Sequence, residues 1–519
     1  MRIFSKEVII LLLLCSHHGY AQPPGIRITD LGALGDGRTL NTVAIQKAID
    51  SLAANGGGSV IVSPGVFITG TLQLRSNIDL HIVRGGVLKG TSRLEEYQSN
   101  GRRVGLLFTQ DVQNVSITGE GTLDGNGDSF MVLDSAKDLE HAGTGWTRQK
   151  EQFRKVQSGI GDGPLVPKDR PYQMIIFSAC RNVTVRDVTV TNSPFWTVHF
   201  ADCDGVRISG VRIWCNLLVP NSDGVDFTSC SNVLMSDCDI RTGDDCIAIT
   251  GYSRHFDLPG YKDRKRVCEN ITVSNCLLVS RSAAIRIGGF DQNPMRNMTF
   301  NNITITNSNR GIGLFVRDQG GIENLTFSNM VIDTRLHTGD WWGNGEPIHL
   351  SAVRLTKDVQ LGRIRNVKFR DILCRGESGM VVYGTGESVI ENVSFEGVTL
   401  HIADSPLNDV AGGNFDLRPV LEPSLQLFSH DIPGFYAQHV KNLRVNDFEL
   451  TWDPVKQPFF THGIEVNDFE GLTIGSFRGT AAPNNPKGVP IVLRNGGDYD
   501  ISAPGESVSM ENVKKRAKK

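Results

Sequence analysis

The sequence predicts an all-β protein: a single-stranded, right-handed parallel β-helix closed at its N-terminal end by one short helix. An Asn-apolar-x-apolar pattern recurs along the chain. It appears at Asn114-Val115-Ser116-Ile117, Asn182-Val183-Thr184-Val185 and Asn232-Val233-Leu234-Met235, and again from Asn270, Asn297, Asn324, Asn366, Asn392 and Asn442. The spacing is regular: 27 residues from Asn270 to Asn297, 27 from Asn297 to Asn324 and 26 from Asn366 to Asn392. Between these marks apolar and polar residues alternate over three to five positions and break at Gly, Asn or Asp, which describes a short strand followed by a turn. A repeat of this size cannot bury its own apolar face, so successive units must stack.

Helical periodicity is scarce. The exception is Thr42 to Ala53, where Ala44, Ile45, Ala48, Ile49 and Leu52 share one face. Asn41 is the expected cap and Asn55-Gly56-Gly57-Gly58 the expected stop. This helix would shield the first open edge of the solenoid. Several of the recurring Asn residues also spell N-x-S/T. Their fixed place in each coil marks them as turn residues that bond along the stack rather than as glycosylation sites.

Arg2 and Lys6, the apolar run Val8 to Leu14 and the small-residue site Gly19-Tyr20-Ala21 read as an export signal over residues 1–21. The run is too short to anchor in a bilayer, and Cys15 after Leu14 makes a poor lipidation site. The expected organisation is a signal over 1–21, a β-helix catalytic domain over 22–505 and a basic, disordered tail over 506–519. The expected location is outside the cell or in the periplasm, as a monomer with no membrane span. The composition, 39% hydrophobic and 21% charged, supports a core, and a net charge of −3 gives no general field for nucleic acid. Nine cysteines remain if Cys15 is removed, none with C-x-x-C spacing. They read as small buried core residues, and no zinc site, other metal or cofactor is expected.

The chemistry concentrates in Asn221-Ser222-Asp223-Gly224-Val225-Asp226 and Gly243-Asp244-Asp245-Cys246-Ile247-Ala248. Pairing Val225 with Ile247 places Asp223 beside Asp245, with Asp244 adjoining both. Neighbouring strands lie about 4.8 Å apart, so three carboxylates meet and at least one keeps a proton at raised pKa. Glycoside hydrolysis needs that division: an acid for the leaving oxygen and a carboxylate for water.

Together with Gly32-Ala33-Leu34-Gly35-Asp36-Gly37, Asn41-Thr42-Val43-Ala44-Ile45-Gln46 and Ser193-Pro194-Phe195-Trp196-Thr197-Val198-His199, these segments resemble the polygalacturonase family, glycoside hydrolase family 28. The resemblance spans most of the chain after the signal. It implies a parallel β-helix that hydrolyses pectin with inversion, with Asp244 as general acid and Asp223 and Asp245 holding the attacking water. The pattern departs at two places. The family's Gly-His-Gly histidine position holds Ala283, and the basic positions of its Arg-Ile-Lys motif hold Gly313 and Phe315.

Substitutes are at hand for gripping a sugar carboxylate. Arg286 falls in the Asp226 column, where a guanidinium would bind a uronate in bidentate fashion, and Arg317 lies just beyond Phe315. His199 falls in the Asp226 column and Trp196 in the Asp223 column. Trp341 and Trp342, consecutive in a Gly-flanked loop, suit sugar recognition. The insertions 251–266 and 335–349 and the excursion 141–170 are expected to wall the cleft and favour exo action. The expected partner is an acidic, pectic poly- or oligosaccharide. Two other readings stand beside hydrolysis: a lyase using calcium and Arg286 as base, and a non-catalytic glycan-binding β-helix.

Overall fold

The computed structural model describes residues 24–139, 147–156, 158–253, 266–485, 488–502 and 507–514. The expected export segment with Cys15 lies outside them, as do Trp146, Arg254, His255, Lys262, Arg264 and Lys265. Among the described residues, no helix is long and apolar enough to cross a membrane.

The chain winds as a right-handed parallel β-helix in which 33 strands join one continuous sheet. The registers repeat from coil to coil. Val198, Val225, Ile247, Ile285, Ile312 and Ile348 stack in one inward column, and all are buried. Slipping one strand by one residue would turn its apolar set to solvent, so the alternation locks the register. Stacking also puts like on like. The rings of Phe300, Phe327, Phe369 and Phe395 follow one another at 4.7, 5.0 and 4.7 Å, the spacing of the strands themselves.

The recurrent asparagines are the turn ladder anticipated from their spacing. Asn114, Asn182, Asn232, Asn270, Asn297, Asn324, Asn366, Asn392 and Asn442 all sit at left-handed φ, which Asn tolerates better than other side chains. Amides donate along the stack, as from Asn182 to Asn114 at 2.8 Å and from Asn366 to Asn324 at 3.0 Å. The nine described cysteines are buried and unpaired. Cys180, Cys203 and Cys230 occupy one column, and the thiols of Cys203 and Cys230 point at carbonyls of the preceding coil.

The capping helix spans Thr42–Ala54 and buries Ile45, Ala48, Ile49 and Leu52. Asn41 does not cap it with its side chain. That amide instead ties Leu34 and Thr39, bonding the Leu34 N–H at 2.7 Å. The expected disordered tail also needs correction. Val508–Lys514 is a strand that extends the sheet in parallel with Ile491–Ile501, because an uncovered last coil offers a row of open backbone donors and acceptors.

One wall of this continuous sheet differs from the others. On most walls burial alternates, as along Ile322–Thr334. In Val225–Thr228, Ile247–Thr250, Ala283–Gly289 and Arg310–Val316 every residue is buried. Loops lie over the outer face of these strands, so polar residues there are shut in, and this is the sheet that carries the aspartates.

Candidate active site

Asp223 enters the strand Val225–Thr228, and Asp244 and Asp245 enter Ile247–Thr250 one coil later. The turn before the second pair is held tightly. The Gly243 N–H donates to Ser222 Oγ at 3.0 Å, and the Ser222 hydroxyl donates to the Val219 carbonyl at 2.9 Å. A Cβ on Gly243 would run into that same carbonyl, so glycine is what lets the two turns approach. The Thr242 and Ser280 hydroxyls both donate to the Asp244 carbonyl, at 2.6 and 2.7 Å. As the pairing of Val225 with Ile247 requires, carboxylate oxygens of Asp223, Asp244 and Asp245 come within 4.8 Å of one another.

The three carboxyls are not equivalent. Asp245 is buried, and both its oxygens are engaged: Oδ1 accepts the Ala283 N–H at 3.0 Å and Oδ2 accepts Arg286 Nε at 2.5 Å. Asp244 is half-buried, and burial, reinforced by the charge of Asp245, pushes its pKa up to about 7. Asp223 is buried with no hydrogen bond to Oδ1 among the described residues, and burial together with the charges of Asp244 and Asp226 raises it well above the usual carboxylate range. Asp226 is 2% exposed with neither oxygen hydrogen-bonded among the described residues. Burial raises it too, against the opposing pull of Arg286. Carboxyls this crowded and this dry cannot all ionise.

The substrate contacts expected from sequence divide. Arg286 does lie in the column that runs His199, Asp226, Ala248, Arg286. Its guanidinium does not reach toward a ligand, however. It bonds Asp245, the Tyr252 hydroxyl at 3.3 Å and the Gly288 carbonyl at 2.9 Å. Burial alone would ease its proton off, but Tyr252 and Asp245 outweigh that and raise its pKa. A guanidinium so held is poorly placed to take a proton, as the lyase reading asks of Arg286. Arg317 is likewise no substrate contact. It is wholly buried and donates to carbonyls of Pro419, Val316, Ser351 and Leu417, stapling a loop to the coil.

His199 is buried rather than a surface group. Its Nε2 lies 2.9 Å from Thr228 Oγ1, and burial lowers its pKa to about 3, so the ring is neutral. Trp196, half-buried, packs edge-on to His199 at 5.2 Å and stacks on Phe195 at 5.8 Å. Both loop tryptophans line the cleft at Asp244, but they differ in exposure. Trp341 is 2% exposed, donates Nε1–H to the Asp162 carbonyl at 3.0 Å and gives its own carbonyl to Arg154 and Arg418. Trp342 is half-buried and lines a cleft of ≈ 120 Å³ with Asp244, Asn221, Ser282, Lys137 and Asp340.

Sequence reasoning missed Lys137, which lies on a loop with no repeat to align it; Asn221, Ser282 and Asp340 lie in segments it had singled out but were given no role of their own. It also missed the knot that builds the cleft wall. Arg418 pairs with Asp416 at 2.7 Å and Asp340 at 3.1 Å, and Arg310 pairs with Glu346 at 3.3 Å, all nearly or wholly buried. Arg154 joins them from the excursion after residue 131. Three separate loops are thereby locked over the coils beyond Asp244. Paired this way, Glu346 falls to about 2 and Asp416 lower still, as the neighbouring arginines overcome burial.

The model of "Glycosyl hydrolases family 28" matches residues 58–408, and the chain belongs to that family and is a glycosyl hydrolase. It is similar to a probable polygalacturonase of Vitis vinifera, 29% identical over 265 residues (47% of this chain, 48% of that one). It is similar also to an exo-poly-alpha-D-galacturonosidase of Dickeya chrysanthemi, 30% identical over 259 residues (44% and 42%). The matches thus span about half the length of these curated relatives. Its fold is shared with an exopolygalacturonase from Thermotoga maritima, at a TM-score of 0.50 and 22% identity over 95% of this chain and 93% of that one.

Proposed function

We propose that this glycosyl hydrolase cleaves a pectic or other uronate-containing poly- or oligosaccharide with inversion, from a chain end, after export from the cytoplasm. Asp244 gives its proton to the glycosidic oxygen as the bond to the anomeric carbon breaks. Water held by Asp223 and Asp245 attacks that carbon from the other side and passes its proton to this carboxyl pair. Asp245, held through both oxygens by the Ala283 N–H and Arg286, orients the water. The observation that carries this reading is the convergence of three inequivalent carboxyls, one of them half-exposed in a cleft and titrating near neutrality. The locked loops beyond Asp244 favour a closed pocket and therefore a chain end.

Inverting enzymes usually hold their two carboxyls about 6.5–9.5 Å apart and retaining ones about 5–5.5 Å. The carboxyl oxygens here lie within 4.8 Å of one another, so in this proposal the water enters from one side of the pair rather than between acid and base. Incubation with defined galacturonate oligosaccharides, followed by proton NMR of the first-formed anomer, should show β-product from α-linked substrate. An α-anomer first would reject inversion. Asp244→Asn should lower the turnover number by about 10²–10⁴ with an unchanged circular dichroism spectrum, and an active variant would reject the assignment of the acid.

A further inference from the structure

The wall that follows the aspartate sheet carries an open groove of ≈ 710 Å³ along its asparagine ladder, from Asn324 to Asn442. It begins on the coil of Ile312, two coils beyond Ile247. Within it runs one column in strand register: Thr326, Lys368, Ser394 and Arg444. Hydroxyl and cation thus alternate from coil to coil, and the two cations stand two strand spacings apart, about 9.6 Å. Among the described residues these four side chains make no hydrogen bond or ion pair, and Lys368 and Arg444 are exposed. The arginines around them are already matched by acids: Arg365 with Glu323 at 2.5 Å, Arg363 with Glu391 at 3.0 Å and Arg370 with Glu396 at 3.0 Å. The positive charge of the groove is therefore left over for a group from outside the fold.

The ladder supplies the rest of the site. Asn366, Asn392 and Asn442 each donate one amide hydrogen to the asparagine of the coil before, at 3.0, 3.0 and 2.9 Å. A side-chain amide carries two such hydrogens, and the second makes no bond among the described residues. Amide donors repeating once per coil, beside the free hydroxyls of Thr326 and Ser394, suit the hydroxyls of a repeating sugar chain. Cations on alternate coils suit carboxylates that recur along the same chain. We propose that this groove is a second, non-catalytic site that holds a stretch of acidic polysaccharide on a different wall from Asp244. This rests on the reading of the substrate as a uronate-containing chain. Each exposed contact is weak alone, and the groove acts through several at once. A polymer gripped there would stay close to the protein, which raises the local concentration of chain ends at the pocket over Asp244.

Calorimetry with polygalacturonate and full-length Asp244→Asn protein at low ionic strength tests it. Adding Lys368→Gln/Arg444→Gln should weaken binding about three- to tenfold. Adding Arg375→Gln/Arg478→Gln instead removes the same charge from arginines that Asp333, Asp447 and Glu449 already hold, and should leave the affinity unchanged. The polymer with its carboxyls reduced to alcohols should bind all three proteins alike. Equal polygalacturonate affinity with and without Lys368 and Arg444, an equal loss from the control pair, or an equal loss for the reduced polymer would overturn the groove while leaving hydrolysis intact. Binding that depends on Lys368 and Arg444 in a wild-type protein that releases no sugar from the polymer would sink the hydrolase reading and leave the groove standing. No polygalacturonate binding by Asp244→Asn protein would overturn both the acidic substrate and the groove.

Discussion

Arg286 Nε sits 2.5 Å from Asp245 Oδ2, and both side chains are almost fully buried. Chain geometry makes this pair possible: Ala248, which separates Arg286 from Asp226 in their column, leaves the long side chain space to lean over. The arginine thereby fixes where the Asp245 carboxyl sits. Arg286→Ala should cost about 3–5 kcal/mol of stability, the usual effect of orphaning one partner of a buried pair, and should lower kcat far more than it raises KM. Because Arg286 pulls the Asp244 pKa down, the alkaline limb of the pH–rate profile should move above about 7 in this variant. A loss of rate with an unmoved profile would mean that the arginine is only a strut.

Asp226 predicts a stability effect of definite sign. Asp223, Asp226, Asp244 and Asp291 all have pKa values raised by burial, Asp244 and Asp291 to about 7. A carboxyl raised in the folded state binds protons there that the unfolded chain has released. Stability from these groups is therefore full below about 4, the unfolded value, and is lost as pH climbs toward 7. The melting temperature should fall across that window. Asp226→Asn, which cannot ionise, should make the fall shallower and raise the melting temperature at pH 8. Parallel curves for variant and wild type would refute this.

Adjacent tryptophans should behave oppositely. Trp341→Ala empties a buried site and should cost about 3–5 kcal/mol. Trp342→Ala should leave the melting temperature near that of wild type and raise KM roughly three- to tenfold through lost ring contact. Thermal melts and steady-state kinetics on both variants separate the two.

Chelation offers a fourth test. The three carboxylates stand close enough to attract a hard cation, but Arg286 already supplies positive charge to Asp245. Hydrolysis should therefore proceed at an unchanged rate after dialysis against EDTA. A loss restored by calcium would show that the cluster works as a metal site.

Sequence periodicity was a reliable guide wherever the coil repeats. The stacked Asn residues, the buried cysteines and the meeting of Asp223 with Asp244 and Asp245 all follow from pairing one strand with the next. Where the repeat lapses, prediction failed for identifiable reasons. Asn41 found better partners than the helix end, and the strand Val508–Lys514 runs straight into the basic residues Lys515, Arg516, Lys518 and Lys519, which masked its pairing with the open edge.

The sequence by itself determined the solenoid, its family and the acidic triad, because a strict alternation repeated at one coil's length admits one register and brings fixed positions side by side. Tertiary structure alone decided what the cations do. Whether Arg286, Arg317 or Lys137 meets a sugar depends on the loops that fold over the sheet, and on which guanidiniums Asp245, Glu346 and Asp416 claim first. Long side chains reach across several coils to the nearest uncompensated charge, and residue spacing carries no record of that competition.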